Sequence, residues 1–424
     1  MTIQQLHHLF LEFSQVCTDT RKISPNCIFF ALKGDNFNGN TYAEEALEKG
    51  ASYAVVDEDV FANHPKTILV ENVLSTLQSL AQFHRIYCKA KIIGLTGSNG
   101  KTTTKELITA VLSKKFKTIA TLGNLNNHIG VPLTLLSITP ETEIAIVEMG
   151  ANHPKEIDFL CQLAMPDYGY ITNFGKAHLE GFGSEEGVIK AKSELYDYLI
   201  SQGKSIFFNA DDPIQKKKLA SVIKKMGYSQ NNSEFFKIEL VGADPFVKIA
   251  IGDTHITTQL VGGYNFTNCC AAILMGKYFN VDLDTIKKGI ENYIPQNNRS
   301  QIIDKNGHHI ILDAYNANPT SMKAALENFQ QLKADYKIAF LGDMFELGKT
   351  AEKEHQEISD IATNMNFDQV FLIGDNFFKT KSDLSKFKSF DHLRETLNDK
   401  TLKNATILIK GSRGMALERI LDLL

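Results

Sequence analysis

"IIGLTGSNGKTTTKELI", Ile92 to Ile108, compresses an apolar run, a glycine turn, a lysine and three threonines into a few turns of chain. Ile92 and Ile93 belong to a buried strand, and Leu107, Ile108, Val111 and Leu112 give the following segment an apolar helical face. Strand, glycine turn and helix is the order that a nucleotide phosphate site needs. In the turn Gly97, Ser98, Asn99, Gly100, the two glycines let the backbone curl until several N–H groups converge on an anion at the helix N-terminus. Lys101 reaches the terminal phosphates, and Thr102, followed by Thr103, supplies a hydroxyl to magnesium. Leu95 stands where the general pattern G-x-x-x-x-G-K-[ST] has its first glycine. The plain alternative is a Gly-Ser-Asn turn ahead of a threonine-rich helix start; the reading adopted is a site for ATP.

Around this loop the chain has 424 residues, enough for about three domains of ~150 residues each. It is 43% hydrophobic and 22% charged with a formal net charge of -4, so no basic field argues for nucleic acid. The run Lys216 to Lys218 is expected on a solvated helix face. "MTIQQLHHLFLEF" places Ile3, Leu6, Phe10 and Phe13 on one helical face and has no signal-peptide character. No apolar run approaches the ~20 residues that span a bilayer, which predicts a cytoplasmic protein without a membrane span. The six cysteines form no C-x-x-C pair and are expected as reduced structural thiols. No coiled-coil repeat appears, and a monomer is expected.

Short apolar runs alternate with stretches of helical period in three blocks, residues 1–85, 86–297 and 298–424. In the first, "NCIFFAL" and "SYAVVDE" are strands, joined by a glycine-containing loop and the helix "TYAEEALEKG". The helix "VLSTLQSLAQFHRIYC" leads onward. In the second, "KIIGLTG", "EIAIVEMG", "YGYITNF" and "KSIFFNA" are strands whose helical intervals imply parallel crossovers. "FFKIELVGADPFVKIAIGDTHITTQLVG" then predicts antiparallel strands. The third block resumes alternation with "HHIILDAY", "KIAFLGD", "QVFLIGD" and "ATILIKGS" as strands. The expected fold is α/β in three domains: a small α/β domain, a central parallel-sheet domain with the phosphate loop, and a C-terminal Rossmann-like domain. Glu148 ends the strand in "EIAIVEMG", at the carboxyl edge where open α/β sheets bind ligands. A carboxylate there suits magnesium, unless it is merely solvated.

The shorter form "TGSNGKTTT" resembles the signature of the Mur ligase family, ATP-dependent enzymes that extend UDP-N-acetylmuramic acid, and of their relative folylpolyglutamate synthetase. "TNFGKAHLEGFGS" matches the family's N-x-x-x-x-H-L-E-x-F-G-S at Asn173, His178, Leu179, Glu180, Phe182, Gly183 and Ser184, which implies a second-magnesium role for His178. "AKSELY" resembles the segment whose lysine carries a carbamate as a metal ligand; Lys192 is the match, with Lys190 as the competing register. "LVGGYNFTNCCAA" resembles the adenine-side segment and implies Asn265 and Asn268 as contacts, with Tyr264 in place of the usual histidine.

In the third block "LDAYNANPTSM" resembles the branch that joins D-alanyl-D-alanine to UDP-N-acetylmuramoyl-tripeptide. The resemblance implies Asp313 at the ATP ribose and Tyr315, Asn316 and Asn318 toward the substrate, although Asn318 before Pro319 also suits a helix N-cap. "FLGDMFELG" and "LIKGSRGMALE" belong to the same resemblance, and Lys410, Ser412 and Arg413 are candidates for the incoming peptide's carboxylate. Arg299 matches an arginine facing the phosphates, with Asn298 where the family usually has glycine. In the first block Thr20, Arg21, Phe29, Lys33, Gly34, Asn38, Gly39 and Asn40 match the family's UDP-binding pattern, and "GNLNNHIGVPLT" adds Asn126 and Asn127. The implied activity is an amide ligation using ATP, two magnesium ions and a carbamylated Lys192. Readings left open are a family member adding the third amino acid, a folylpolyglutamate synthetase, and a substrate-independent ATPase or nucleotide switch.

Overall fold

In a computed structural model, which describes residues 1–296, 298–397 and 404–424, three mainly parallel sheets follow one another along the chain. The helix Ile3–Phe13 starts with a capping box, Thr2 and Gln5 satisfying each other's backbone N–H groups, and it buries Leu6, His7 and Phe10. The strands Val16–Cys17, Ile28–Phe30, Tyr53–Val56 and Thr67–Leu69 then form a parallel sheet in that order.

The next helix, Val73–Cys88, runs without interruption through residue 85, so it belongs to the first block and the second alike. Its outer turns are bolted to the central block. Gln78 donates to the His128 carbonyl at 3.0 Å, Gln82 to the Gln162 carbonyl at 2.9 Å, and Arg85 to Asp167 at 2.9 Å. Leu77 and Leu80 share one buried apolar cluster with Leu135 and Leu160.

The central sheet has seven parallel strands in the order Phe236–Lys237, Lys225–Ser229, Ser205–Asn209, Tyr168–Ile171, Lys91–Thr96, Ile144–Glu148, Thr118–Ala120. Lys91–Thr96 lies inside the sheet with Ile92, Ile93 and Leu95 inaccessible, which explains its unbroken apolar run. One expectation needs correction. Phe236 and Lys237 pair in parallel with Tyr228 and Ser229, and antiparallel pairing starts only at Glu239–Ala243, continuing through Phe246–Ile251 and Thr254–Val261. The apolar run continues across the passage from one sheet to the other, so periodicity carries no mark of it.

The third sheet orders its strands Gln301–Lys305, His308–Asp313, Thr406–Lys410, Lys337–Gly342, Gln369–Ile373, Ser385–Phe387, with only the first pair antiparallel. Lys216, Lys217 and Lys218 are exposed in the last turn of the helix Pro213–Lys218, as expected. Among the described residues no helix is long and apolar enough to cross a membrane. All six cysteines are free and buried.

Candidate active site

Strand Lys91–Thr96 delivers the glycine turn to the carboxyl edge of the central sheet, and the helix Lys101–Leu112 leaves from it. Both turn glycines have positive φ, 143° at Gly97 and 78° at Gly100. A Cβ at Gly97 would fall 1.9 Å from Thr172 Oγ1, and one at Gly100 would fall 2.5 Å from Asn268 Oδ1, so only glycine fits either place. The turn is held from outside. Asn99 N–H donates to Asn173 Oδ1 at 3.1 Å, Thr172 Oγ1 donates to the Asn99 carbonyl at 2.6 Å, and Ser98 Oγ donates to the Gly175 carbonyl at 2.8 Å. Lys101 Nζ donates to the Gly97 carbonyl at 2.7 Å. Burial pushes its pKa down and Arg299 adds to this, while Glu148 pulls it back up.

Glu148 is buried at the end of the adjacent strand and accepts from Thr102 Oγ1 at 3.0 Å and from Asn126 Nδ2 at 2.8 Å. A further lysine, not singled out in the sequence, completes this group: Lys105 Nζ is buried, donates to the Thr121 carbonyl at 2.6 Å and lies 3.8 Å from Glu148 Oε2. Its signal was its place four residues after Lys101 on the same helix. Asn173, which binds Asn99 in both directions, was noted only as part of a motif.

The two competing lysines differ sharply: Lys190 is exposed and Lys192 is inaccessible. Lys192 Nζ donates to the Ala151 carbonyl at 3.1 Å and sits 5.1 Å from the centre of the Phe182 ring. Burial holds its pKa far below that of a solvated lysine, and the charge on Lys101 works in the same direction. His178 packs edge-on against the same Phe182 ring, and its Nδ1 meets the carboxylate of Glu346 from the third domain, whose pKa that contact lowers.

Opposite the loop, the third domain contributes Arg299, Asp313, Tyr315, Asn316, Asn318, Lys410 and Arg413 to one cleft of about 790 Å³. Ser98, Asn99, Gly100, Lys101, Thr102, Thr103, Asn126, Asn127, Glu148, His178, Asn265 and Asn268 line its other side. The arginine guanidinium groups of Arg299 and Arg413 lie 3.6 and 5.7 Å from the centre of the Tyr315 ring. Asn298, in the family's glycine place, has φ 57°, a left-handed geometry that asparagine tolerates better than most residues. Several expected ligand contacts turn out to be occupied within the protein. Asn318 caps the helix Pro319–Gln331 and gives its Nδ2 to Asn99 Oδ1 at 2.6 Å. Lys410 is paired with Asp313, and buried Ser412 Oγ accepts from the Phe345 N–H at 2.9 Å. Asn127 Oδ1 accepts from Ile129 and Gly130 at the start of the helix Gly130–Leu136, and Asn265 donates to the Val261 carbonyl while accepting from Asn268.

None of Thr20, Arg21, Phe29, Lys33, Gly34, Asn38, Gly39 and Asn40 lines this cleft. Phe29 is a core residue, packed with Ala31, Ala54 and Val56, and offers no side-chain surface to a ligand. Asn40 is also inaccessible, bonded to Asp57 and Asn38 to shape the turn. A Cβ on Gly39 would strike the Leu32 carbonyl at 2.2 Å. Asn38 bonds Glu58, Lys33 pairs with Asp57 at 3.0 Å, and exposed Arg21 pairs with Asp19 at 2.8 Å. Thr20 opens a short 3-10 turn, and Gly34 lies on the hairpin Lys33–Gly34/Phe37–Asn38.

A phosphate loop at the edge of a parallel sheet, facing a second α/β domain across a cation-rich cleft, defines a nucleotide-using ligase, and the chain belongs to the Mur ligase family. It matches the Mur ligase family catalytic domain over residues 12–91, the Mur ligase middle domain over 95–276 and the Mur ligase glutamate ligase domain over 298–413. UDP-N-acetylmuramoyl-tripeptide–D-alanyl-D-alanine ligase of Bacillus subtilis (strain 168) is 36% identical, over 96% of this chain and 92% of that protein. Among solved structures, MurF from Acinetobacter baumannii is 29% identical with a TM-score of 0.85, over 100% of this chain and 98% of that one. MurF ligase from Thermotoga maritima in complex with ADP is 26% identical with a TM-score of 0.84, over 97% of each chain.

Proposed function

We propose that this chain is an ATP-dependent amide ligase that joins D-alanyl-D-alanine to the terminal carboxylate of UDP-N-acetylmuramoyl-tripeptide. The observation that carries the reading is the convergence of Lys101, Thr102 and Glu148 with Arg299 and Asp313 from another domain on one cleft. A carboxylate is a poor electrophile because its charge repels an amine and oxide is a hopeless leaving group. Its oxygen therefore attacks the γ-phosphorus of ATP and ADP departs. The dipeptide amine then attacks the carbonyl carbon of the acyl phosphate, phosphate departs with the C–O bond electrons, and the nitrogen gives its proton to solvent.

The protein's part is position and charge. The loop's N–H groups and Lys101 cradle the phosphates, Arg299 balances the charge on the transferring group, and Asp313 takes the ribose. Asn265 and Asn268 approach the base side. Closure of the third domain on the loop keeps water from the acyl phosphate. Thr102 and Glu148, adjacent hard oxygen donors, fit one magnesium ion, and His178 with a carbamylated Lys192 fits a second. When bound, these ions neutralise phosphoryl oxygens. Residues 1–85, with Arg21 and Lys33 at their surface, serve as the UDP-binding domain, residues 86–297 as the ATP domain and residues 298–424 as the dipeptide-side domain. The reading carries with it a cytoplasmic location and a monomeric enzyme.

Phosphate release measured with ATP alone, with each substrate singly, and with UDP-N-acetylmuramoyl-tripeptide plus D-alanyl-D-alanine tests the proposal. Turnover is expected only with both. Equal release from ATP alone would mark a simple ATPase.

A further inference from the structure

Tyr264 sits where the family pattern has histidine, and it carries a hydroxyl that histidine lacks. That hydroxyl crosses the junction between the central and third domains to lie 2.8 Å from Ser300 Oγ. The ring is confined: a Cβ on Gly262, whose φ is 96°, would fall 2.4 Å from Tyr264 Cε1. Ser300 is held a second time, its N–H donating to Asp313 Oδ1 at 3.1 Å, while the other oxygen of Asp313 accepts from Lys410.

The backbone around this contact is strained. Asn298 and Ser300 have φ of 57° and 49°, so two left-handed residues flank Arg299. Such conformations persist in residues other than glycine only where surrounding contacts hold them. Among the described residues the holding contacts are these: the Tyr315 N–H donates to the Asn298 carbonyl at 3.1 Å on one side, and Tyr264 and Asp313 grip Ser300 on the other. Tyr264, Arg299, Ser300 and Asp313 all line the cleft.

We propose that Tyr264 is a positioning residue, whose hydroxyl pins Ser300 and so fixes the segment 298–300, with Arg299 and the neighbouring Asp313 turned toward the nucleotide. The pin depends on the cleft being a nucleotide site and not on which acceptor the enzyme uses. Burial, reinforced by the charge of Asp313, raises the phenol's pKa, so the hydroxyl keeps its proton throughout the working range.

ADP binding by calorimetry, with steady-state ligation beside it, tests the pin in Tyr264→Phe, Ser300→Ala and the double variant. Each single change is expected to weaken ADP binding about three- to ten-fold, as the loss of one partly buried hydrogen bond does. The double variant should be no weaker than the worse single one, because both remove the same bond. The KM for ATP should rise while the KM values for the other two substrates stay put, and Tyr264→His should behave like Tyr264→Phe. Wild-type ADP binding in Tyr264→Phe would overturn the proposal, as would losses that add in the double variant or KM increases shared by all three substrates. If a Tyr264 variant fails to fold, Ser300→Ala decides alone, and wild-type binding there rejects the pin. A wild-type protein that binds ADP yet forms no amide would sink the ligase reading and leave this binding cycle still decisive.

Discussion

Lys192 carries the sharpest chemistry in the molecule. An ammonium buried out of reach of bulk solvent is costly, and among the described residues its Nζ meets one carbonyl and one aromatic face. Burial shifts such a lysine toward the neutral amine, the form that adds carbon dioxide. A carbamate then turns a would-be cation into an oxygen ligand without any change of sequence. In ¹³C-bicarbonate, a carbamate resonance is expected from the wild type, retained in Lys190→Ala and lost in Lys192→Ala. Ligation in Lys192→Ala should drop by at least about 100-fold, the usual cost of removing one electrostatic stabiliser. A short carboxylic acid should restore part of it. Full activity in Lys192→Ala would refute the assignment.

Among elements, the contact between the helices Ile3–Phe13 and Val73–Cys88 turns on two buried histidines, His7 Nε2 lying 3.0 Å from His84 Nδ1. With His84 Nε2 donating to the Ile138 carbonyl at 2.7 Å, His84 Nδ1 accepts from His7, and burial of both rings disfavours a charge on either. Burial, with His84 and His8 nearby, pushes the His7 pKa down to about 4 from an ordinary 6.5, and burial lowers that of His84 as well. The unfolded chain therefore binds a proton below pH 6.5 that the folded chain refuses until about pH 4. Stability is full above pH 6.5 and declines as pH falls through that window, by about 2 kcal/mol at pH 5 from His7 alone. The melting temperature should fall between pH 7 and pH 5 in the wild type and fall less in His7→Phe; parallel curves would exclude the histidine pair as the cause. These helices were legible in the sequence because their apolar faces repeat locally, as was the phosphate loop, whose strand, turn and helix are contiguous. The strand Thr118–Ala120 was not, being three half-buried residues at a sheet edge. Phe29 shows a different limit: a motif position does not reveal whether its residue faces a ligand or the core. Asn318 shows another, since its contact with Asn99 spans 219 positions that no local pattern connects.

At the scale of the whole molecule, the first and central domains share a helix, whereas the third adds polar contacts with the central one to an apolar cluster that holds Leu179 and Phe182 together with Met344 and Leu347. Lys176 joins Glu354 at 2.9 Å, the Lys176 N–H donates to Thr320 Oγ1 at 2.9 Å, and Asn318 reaches Asn99. Glu354 is almost inaccessible, so removing its cation leaves a buried charge unbalanced; allowing for the partly solvated lysine, this costs about 1–2 kcal/mol. Lys176→Met should therefore open the nucleotide-free protein, seen as a larger radius of gyration in X-ray scattering, and ATP with both substrates should reverse the change. An unaltered radius would show that the bridge does not hold the domains. The close approach of Asn268 to Gly100 has a consequence of another kind, one of timing. The ribosome makes the glycine turn early, yet the residue packed beneath it emerges roughly ten to thirty seconds later at ordinary elongation rates. Through that interval the nascent loop exists without its floor.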